Sequence, residues 1–472
     1  MAWRFCLSSP RRLVGNSTTD CGRYLGSSHK KNQLNDKNRI MTTQKMTHKK
    51  QSLSFRCRTM TGVLFASVLL GLFGFGFCSP VQALQDWTAF RGANGSNVSD
   101  ETVPVEISDA KNLEWKVELP GRGPSGPIVV GDRVFVTCSG GANEDQLYVV
   151  CFNKDSGEKI WQRRFWATGR CFCHPLSANA APTPCSDGES IFAFYSSNDL
   201  FCLDLDGNLK WCRGLAVDHP KAGHDTGMSS SPAVHGDVVV CQVENQGDSF
   251  ATGIDKNTGK TLWEIPRDKE ASWASPLVFE TGQGPMVLLQ SSARTTIVGL
   301  DDGVTVWEKE GRGNSIPSSA VDGNRLYLPI DGLTVVEFSG EQKVEFKEVF
   351  NSSKLAAGSQ SNIVHKGLVY TFGRGGIMTC ANADSGDEVW KTRVGGQHWT
   401  TPLLANDHLY FFDQNGVASV VNVGGEFEDP SKRVVHTHTF EDEIFLGSPA
   451  ASDGAIFMRS DKNLYKFAKD PA

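Results

Sequence analysis

The chain has 472 residues, 39% of them hydrophobic, and a formal charge of −6, which is ample material for a large core. The charge is uneven: residues 1–60 carry 13 Lys and Arg against two acids, Asp20 and Asp36, leaving 34 bases against 51 acids on the rest. So acidic a body excludes nucleic acid as the partner, because phosphate binding needs clustered Lys and Arg.

In chain order, the polar stretch ahead of Met41 fits no targeting grammar, and Met41, Met46 and Met60 are each candidate starts. Arg56 and Arg58 then precede an uncharged run over 62–77, GVLFASVLLGLFGFGF, which reads as a helical export signal. Val81-Gln82-Ala83 supplies small residues at −3 and −1 for cleavage, and a 16-residue run falls short of the roughly 20 a spanning helix needs. Residues 1–83 are thus expected to be a basic leader and signal that delivers the body outside the cytoplasm, to the periplasm. Membrane contact is expected only through that signal if it stays uncleaved.

Residues 84–111 form a polar lead-in, and NLEWKVEL (112–119) is the first strand. From there a hairpin recurs: CFNKDSGEKIW (151–161), GIDKNTGKTLW (253–263) and CANADSGDEVW (380–390), with shortened relatives CLDLDGNLKW (202–211) and GLDDGVTVW (299–307). Asp, Asn, Ser and Thr satisfy backbone groups in each turn, Gly takes the positive-φ position, and Trp four places later sits on the returning strand. Before each hairpin stands a second element, best kept in SGPIVVGDRVFVT (125–137), SPAVHGDVVVCQV (231–243), TTPLLANDHLYFF (400–412) and GSPAASDGAIFMR (447–459). Weaker versions bring the count to eight units of four short strands, the signature of a propeller. The last unit supplies only three strands, so strand 112–119 is expected to complete it and leave no free edge. The fold predicted is all-β, an eight-bladed propeller over 112–469, with Trp115, Trp161, Trp211, Trp263, Trp307 and Trp390 as inter-blade wedges.

These hairpins resemble the tryptophan-docking motif of the pyrroloquinoline-quinone-type eight-bladed propellers, a resemblance that covers residues 113–469. DWTAFRGANGSNVSD (86–100) together with the first unit is similar to a group of exported bacterial members. The resemblance implies one of two roles. Quinoprotein alcohol dehydrogenases hold quinone and calcium on the axis, whereas the outer-membrane assembly lipoprotein uses the ring as a protein-binding scaffold without cofactor; fold alone does not choose. The dehydrogenases share two adjacent cysteines over the quinone, and here the nearest approach is Cys171-Phe172-Cys173. Glu244, Asn245 and Asp248 are the residues to test as a calcium set, and no second matching segment accompanies them. The sequence thus favours a non-enzymatic binding or scaffold propeller with no resident cofactor or metal, acting on protein partners or a small polar ligand. A quinone-dependent oxidoreductase with calcium and a carbohydrate-binding module are the alternatives.

Propeller geometry sends two sets of loops to one face. The loops entering the innermost strands carry Arg122, Asn179, His224, Asp225, Trp273, Asn314, His398 and Trp399. The loops between second and third strands carry Glu244, Asn245, Asp248, Arg294 and Arg374. Trp273 and Trp399 recur at the same blade position, as do Arg294 and Arg374, which suggests a pocket for a sugar-like or anionic ligand; the alternative is side chains that plug the channel. Cys171, Cys173, His174 and Cys185 crowd 169–185, where a Cys173–Cys185 disulfide, free thiols and a metal site are all open readings. His219 and His224 near Ser229, Ser230 and Ser231 lack a nucleophile elbow, so they read as turn chemistry.

Overall fold

The computed structural model describes residues 86–469; the leader and the expected export signal lie outside them. Eight four-stranded sheets form the ring. Blade 1 runs through Ile128–Val130, Arg133–Gly140, Gln146–Asn153 and Lys159–Trp166, each antiparallel to the last. Blades 2 to 7 follow over 185–214, 233–266, 277–310, 320–352, 363–393 and 403–439. Blade 8 takes Ala450–Ser452, Ala455–Arg459 and Asn463–Ala468, and its outer strand is Leu113–Glu118, paired antiparallel to Asn463–Ala468. The ring therefore closes with the strand expected from the sequence.

The burial pattern explains why these segments are strands. A second strand such as Val238–Val243 is buried at every position because both of its faces meet a neighbouring blade, so it reads as an unbroken apolar run. An outer strand such as Thr261–Pro266 meets a neighbour on one side only, and burial there falls chiefly on Trp263. In all eight blades the outer strand carries a bulge beside the wedge residue. A bulge bends and twists its strand and re-aims the next side chain. Here that side chain is sent into the following blade.

The wedge is a two-sided joint. Trp115, Trp161, Trp211 and Trp263 each donate their indole N–H to a carbonyl oxygen of the next blade's hairpin turn, Lys154, Leu205, Lys256 and Leu300, at 3.1, 2.9, 2.8 and 2.7 Å. Beneath each ring lies the turn glycine of that blade; a Cβ on Gly207, at φ +80°, would come within 2.8 Å of the Trp161 ring. The recurring glycine thus serves its own turn and receives the preceding tryptophan. Two blades depart from the tryptophan pattern. Phe350 takes the wedge position in blade 5 and packs on Gly386, and His436 takes it in blade 7. Trp307 meets Phe346 with ring centroids 5.7 Å apart, and Trp390 is covered by the Arg433 guanidinium at 4.1 Å.

The lead-in is woven into the ring. Trp87 exchanges two backbone hydrogen bonds with Val129 of blade 1, both 2.9 Å, and Thr88 accepts from Ser186 of blade 2. Arg91, only 2% exposed, reaches the Ser319 carbonyl of blade 5 at 2.7 Å and the Asn362 carbonyl of blade 6 at 2.8 Å. Val98–Ser99 then adds a fifth, parallel strand to blade 7, Asn97 donates its side-chain amide to the Pro402 carbonyl, and Glu101 accepts from the backbone of Asp453 and Gly454 in blade 8. The polar lead-in thus contacts blades 1, 2, 5, 6, 7 and 8.

Candidate functional site

A funnel of about 410 Å³ opens on the axis, and Phe90 of the lead-in is among its lining residues. Its wall is built from one tripeptide per blade, placed where the chain enters the innermost strand. The last residue of each tripeptide is Gly126, Thr183, Ser231, Ser275, Ser318, Ser361, Thr401 or Ser448 in blades 1 to 8. These residues are linked blade to blade. The backbone N–H of Gly126 donates to the Thr183 hydroxyl at 2.8 Å, Thr183 N–H to Ser231 at 3.0 Å, and Ser231 N–H to Ser275 at 2.9 Å. The run continues from Ser275 to Ser318, Ser318 to Ser361, Ser361 to Thr401 and Thr401 to Ser448, at 2.9 to 3.2 Å. Seven links join eight blades; between blades 8 and 1 the eighth is missing because Gly126 has no side chain to accept it.

Every one of the seven hydroxyls lines the funnel. Two residues earlier in each blade a second tier stands above them: Pro124, Ala181, Ser229, Trp273, Ile316, Ser359, Trp399 and Leu446, all lining the funnel as well. The mouth is therefore mainly apolar, with two tryptophans three blades apart. Both indole nitrogens are already engaged, Trp273 with the Gly227 carbonyl at 2.9 Å and Trp399 with Oε1 of Gln414 at 3.0 Å. Those bonds fix the rings while Trp399 stays 47% exposed. The loop over 169–185 adds His174, Leu176 and Ser177 to the rim.

Of the thirteen candidate ligand residues, only Trp273 and Trp399 line the funnel. His224 lies behind the first, its ring 4.6 Å from the Trp273 ring; burial pushes its pKa below the ordinary histidine value, and its Nε2 has no partner among the described residues. Arg294, expected beside the tryptophans, is instead held by Asp268 at 2.7 Å and Glu308 at 3.2 Å, and Arg374 sits exposed in its turn. Arg122 lies at the seam of blades 8 and 1, 3.1 Å from Glu144 and 3.8 Å from Asp461. Asn179 bridges the Glu144 carbonyl and the Ser197 amide, Asn314 donates to the Ala357 and Gly358 carbonyls, and His398 is bonded to Gly395 and Phe412 oxygens. Asp225 pairs with Arg170 at the surface. These polar groups are consumed in tying blades and turns together.

The calcium set does not converge. Glu244, 1% exposed, is bound to Arg267 Nε at 2.6 Å, and burial raises its pKa against the pull of that guanidinium. Asn245 closes a local turn on Gly247 and Asp248, and Asp248 accepts from Lys221 N–H. Calcium takes six to eight oxygen ligands, typically with carboxylates among them. Among the described residues lining the funnel there is no carboxylate, lysine or arginine, so neither the ion nor an anionic quinone meets its complementary charge.

The Cys173–Cys185 disulfide does not form. Cys185 is buried in an apolar cluster with Phe192 and Cys241, while Cys173 lies against Ser196, 3.9 Å from its hydroxyl. Burial pushes the Cys171 and Cys173 thiols up to about 11. His219 stacks on Phe250 and pairs with Glu264, and Ser231 belongs to the hydroxyl chain. The residues sequence reasoning missed are the hydroxyls and Phe90. The signal was present: Ser231, Ser275, Ser318 and Ser361 recur at steps of 43 or 44 residues.

Among families, the one described as outer membrane protein assembly factor BamB matches residues 93–253 and 343–426. No curated protein is similar enough to match. The crystal structure of BamB from Moraxella catarrhalis is similar at 15% identity and a TM-score of 0.55, covering 76% of this chain and 98% of that one. A europium-containing methanol dehydrogenase is similar at 11% identity and a TM-score of 0.58, covering 81% and 98%. Quinohemoprotein alcohol dehydrogenase from Comamonas testosteroni is similar at 11% identity and a TM-score of 0.60, covering 82% and 81%. At these identities the structures share the fold alone.

Proposed function

The chain belongs to the BamB family of outer membrane protein assembly factors, and from that premise we propose that it is an exported, non-enzymatic propeller that binds partners through its funnel-bearing face. One observation carries the reading: among the described residues, the axial funnel is walled by hydroxyls, apolar side chains and His174, with no carboxylate, lysine or arginine. A dehydrogenase of this fold needs a cation and an anionic cofactor there, and the acids and amides nearest to that role, Glu244, Asn245 and Asp248, are spent on structure. Rigid closure supports the same reading. The ring is joined at blade 8 by Leu113–Glu118 and laced by the lead-in, so it offers a preorganised face that loses little freedom on binding. Export to the periplasm fits both the family and the uncharged run over 62–77.

The test is a titration of the purified protein with pyrroloquinoline quinone and calcium, followed by alcohol-dependent dye reduction. The reading expects neither saturable quinone binding nor turnover. Stoichiometric binding with dye reduction overturns it.

A further inference from the structure

We propose that the funnel takes a neutral sugar residue of a glycan, held by the hydroxyl ring and stacked on the indoles of its mouth. The proposal rests on the binding reading above and names the ligand class of the same site. Three observations carry it.

The first is the chemistry of the hydroxyls. Each of the seven accepts one backbone N–H, and none donates to a protein acceptor among the described residues. A hydroxyl has one donor and two lone pairs. Each therefore keeps one O–H and one lone pair for a ligand, arranged around the lumen. That is the bifunctional chemistry of a polyol, whose own hydroxyls both donate and accept. A peptide segment would instead bring separate N–H donors and carbonyl acceptors, and an anion would take up the O–H donors and leave the lone pairs unused.

The second is the pair of indoles. Trp273 and Trp399 occupy the same tier three blades apart, and their N–H groups are satisfied by the protein, so what they offer a ligand is their ring faces. An indole face is the negative side of a quadrupole and attracts weakly positive C–H bonds such as those on one face of a pyranose. The third is charge. Among the described residues His174, on the rim, is the only ionisable side chain at the wall, so an ionised ligand would give up its hydration without meeting an opposite charge. A space of about 410 Å³ lies within the range of small-molecule pockets.

The experiment is tryptophan fluorescence and calorimetric titration of the purified protein with cellotriose, maltotriose, mannotriose and tri-N-acetylchitotriose, with trigalacturonate as the charged counterpart. The proposal expects saturable binding of at least one neutral trisaccharide and tenfold or weaker binding of trigalacturonate. Trp399→Ala weakens the neutral ligand at least tenfold, whereas Trp166→Ala, which removes a 59% exposed indole outside the funnel, leaves it unchanged. Ser359→Leu narrows the mouth without touching the hydroxyl chain and is expected to block binding with an unaltered melting temperature. Absence of binding to every neutral trisaccharide overturns the proposal, as does preference for trigalacturonate or indifference to both Trp399→Ala and Ser359→Leu. Such failure leaves the non-enzymatic reading standing, because that reading falls only to quinone binding and turnover.

Discussion

The indole N–H of Trp115 donates to the Lys154 carbonyl at 3.1 Å, joining the strand that finishes blade 8 to the first hairpin turn of blade 1. The contact spans 39 residues in sequence and fastens the two ends of the ring. Trp115 is buried and sits on Gly157 of that turn. Trp115→Ala is expected to cost about 3–5 kcal/mol, the range for truncating a large buried aromatic. Chemical denaturation measures it, with Trp166→Ala, within about 0.5 kcal/mol of the parent, as the exposed control.

The turn glycines separate two costs. Gly207 is at φ +80° with the Trp161 ring where its Cβ would be, while Gly188 is at φ +90° with nothing within 4 Å. Gly188→Ala is expected to cost only the left-handed backbone penalty, about 1–2 kcal/mol. Gly207→Ala pays that and also displaces the wedge, so its midpoint shift should be clearly larger. Equal shifts in parallel unfolding curves would show that the ring contact contributes nothing.

Asn97 anchors the lead-in to blade 7. Its φ is +60° and its amide donates to the Pro402 carbonyl. Asn97→Gly keeps the backbone conformation and removes only the side chain, leaving a buried carbonyl without its donor. The expected cost is about 1–3 kcal/mol, read from denaturant midpoints. Cleavage within 86–99 during limited proteolysis should accelerate in the same variant.

His224 supplies a pH dependence. Burial lowers its folded pKa below the ordinary 6.5. The unfolded chain therefore binds the proton more readily than the folded one, and the stability the neutral ring contributes is present above 6.5 and lost as pH falls through the folded value. Melting temperatures should fall on acidification below 6.5, and His224→Gln should flatten that part of the profile. Because the ring lies 4.6 Å from Trp273, fluorescence of the parent should change over the same window.

The ring was legible because its information is local. Each hairpin states its own Asp or Asn, Gly and Trp, while the eight strand-turn-strand units that precede them settle blade number and the need for strand 112–119. Where the wedge is Phe350 or His436 the same bulge operates without the letter that announces it, so those joints were invisible. The funnel was half legible. Trp273 and Trp399 stood out as large residues repeated in register, but the hydroxyls were read only as strand starts, since a single Ser or Thr at a strand entry says nothing until seven copies meet on one axis. Arg294 and Arg374 misled for the opposite reason: they repeat in sequence, yet Arg294 is held by acids outside the funnel and Arg374 stands exposed in its turn. The lead-in was legible only as polar, and nothing in it announced the role of Arg91. Its guanidinium is buried against two backbone carbonyls, and burial lowers its pKa to about 9.

Native mass spectrometry of the protein purified from cells that make it, in calcium-containing buffer, separates a cofactor-free binding propeller from a quinoprotein. The expected mass is that of the polypeptide alone or with a neutral saccharide. A stoichiometric adduct of pyrroloquinoline quinone with calcium would make the protein a quinoprotein instead.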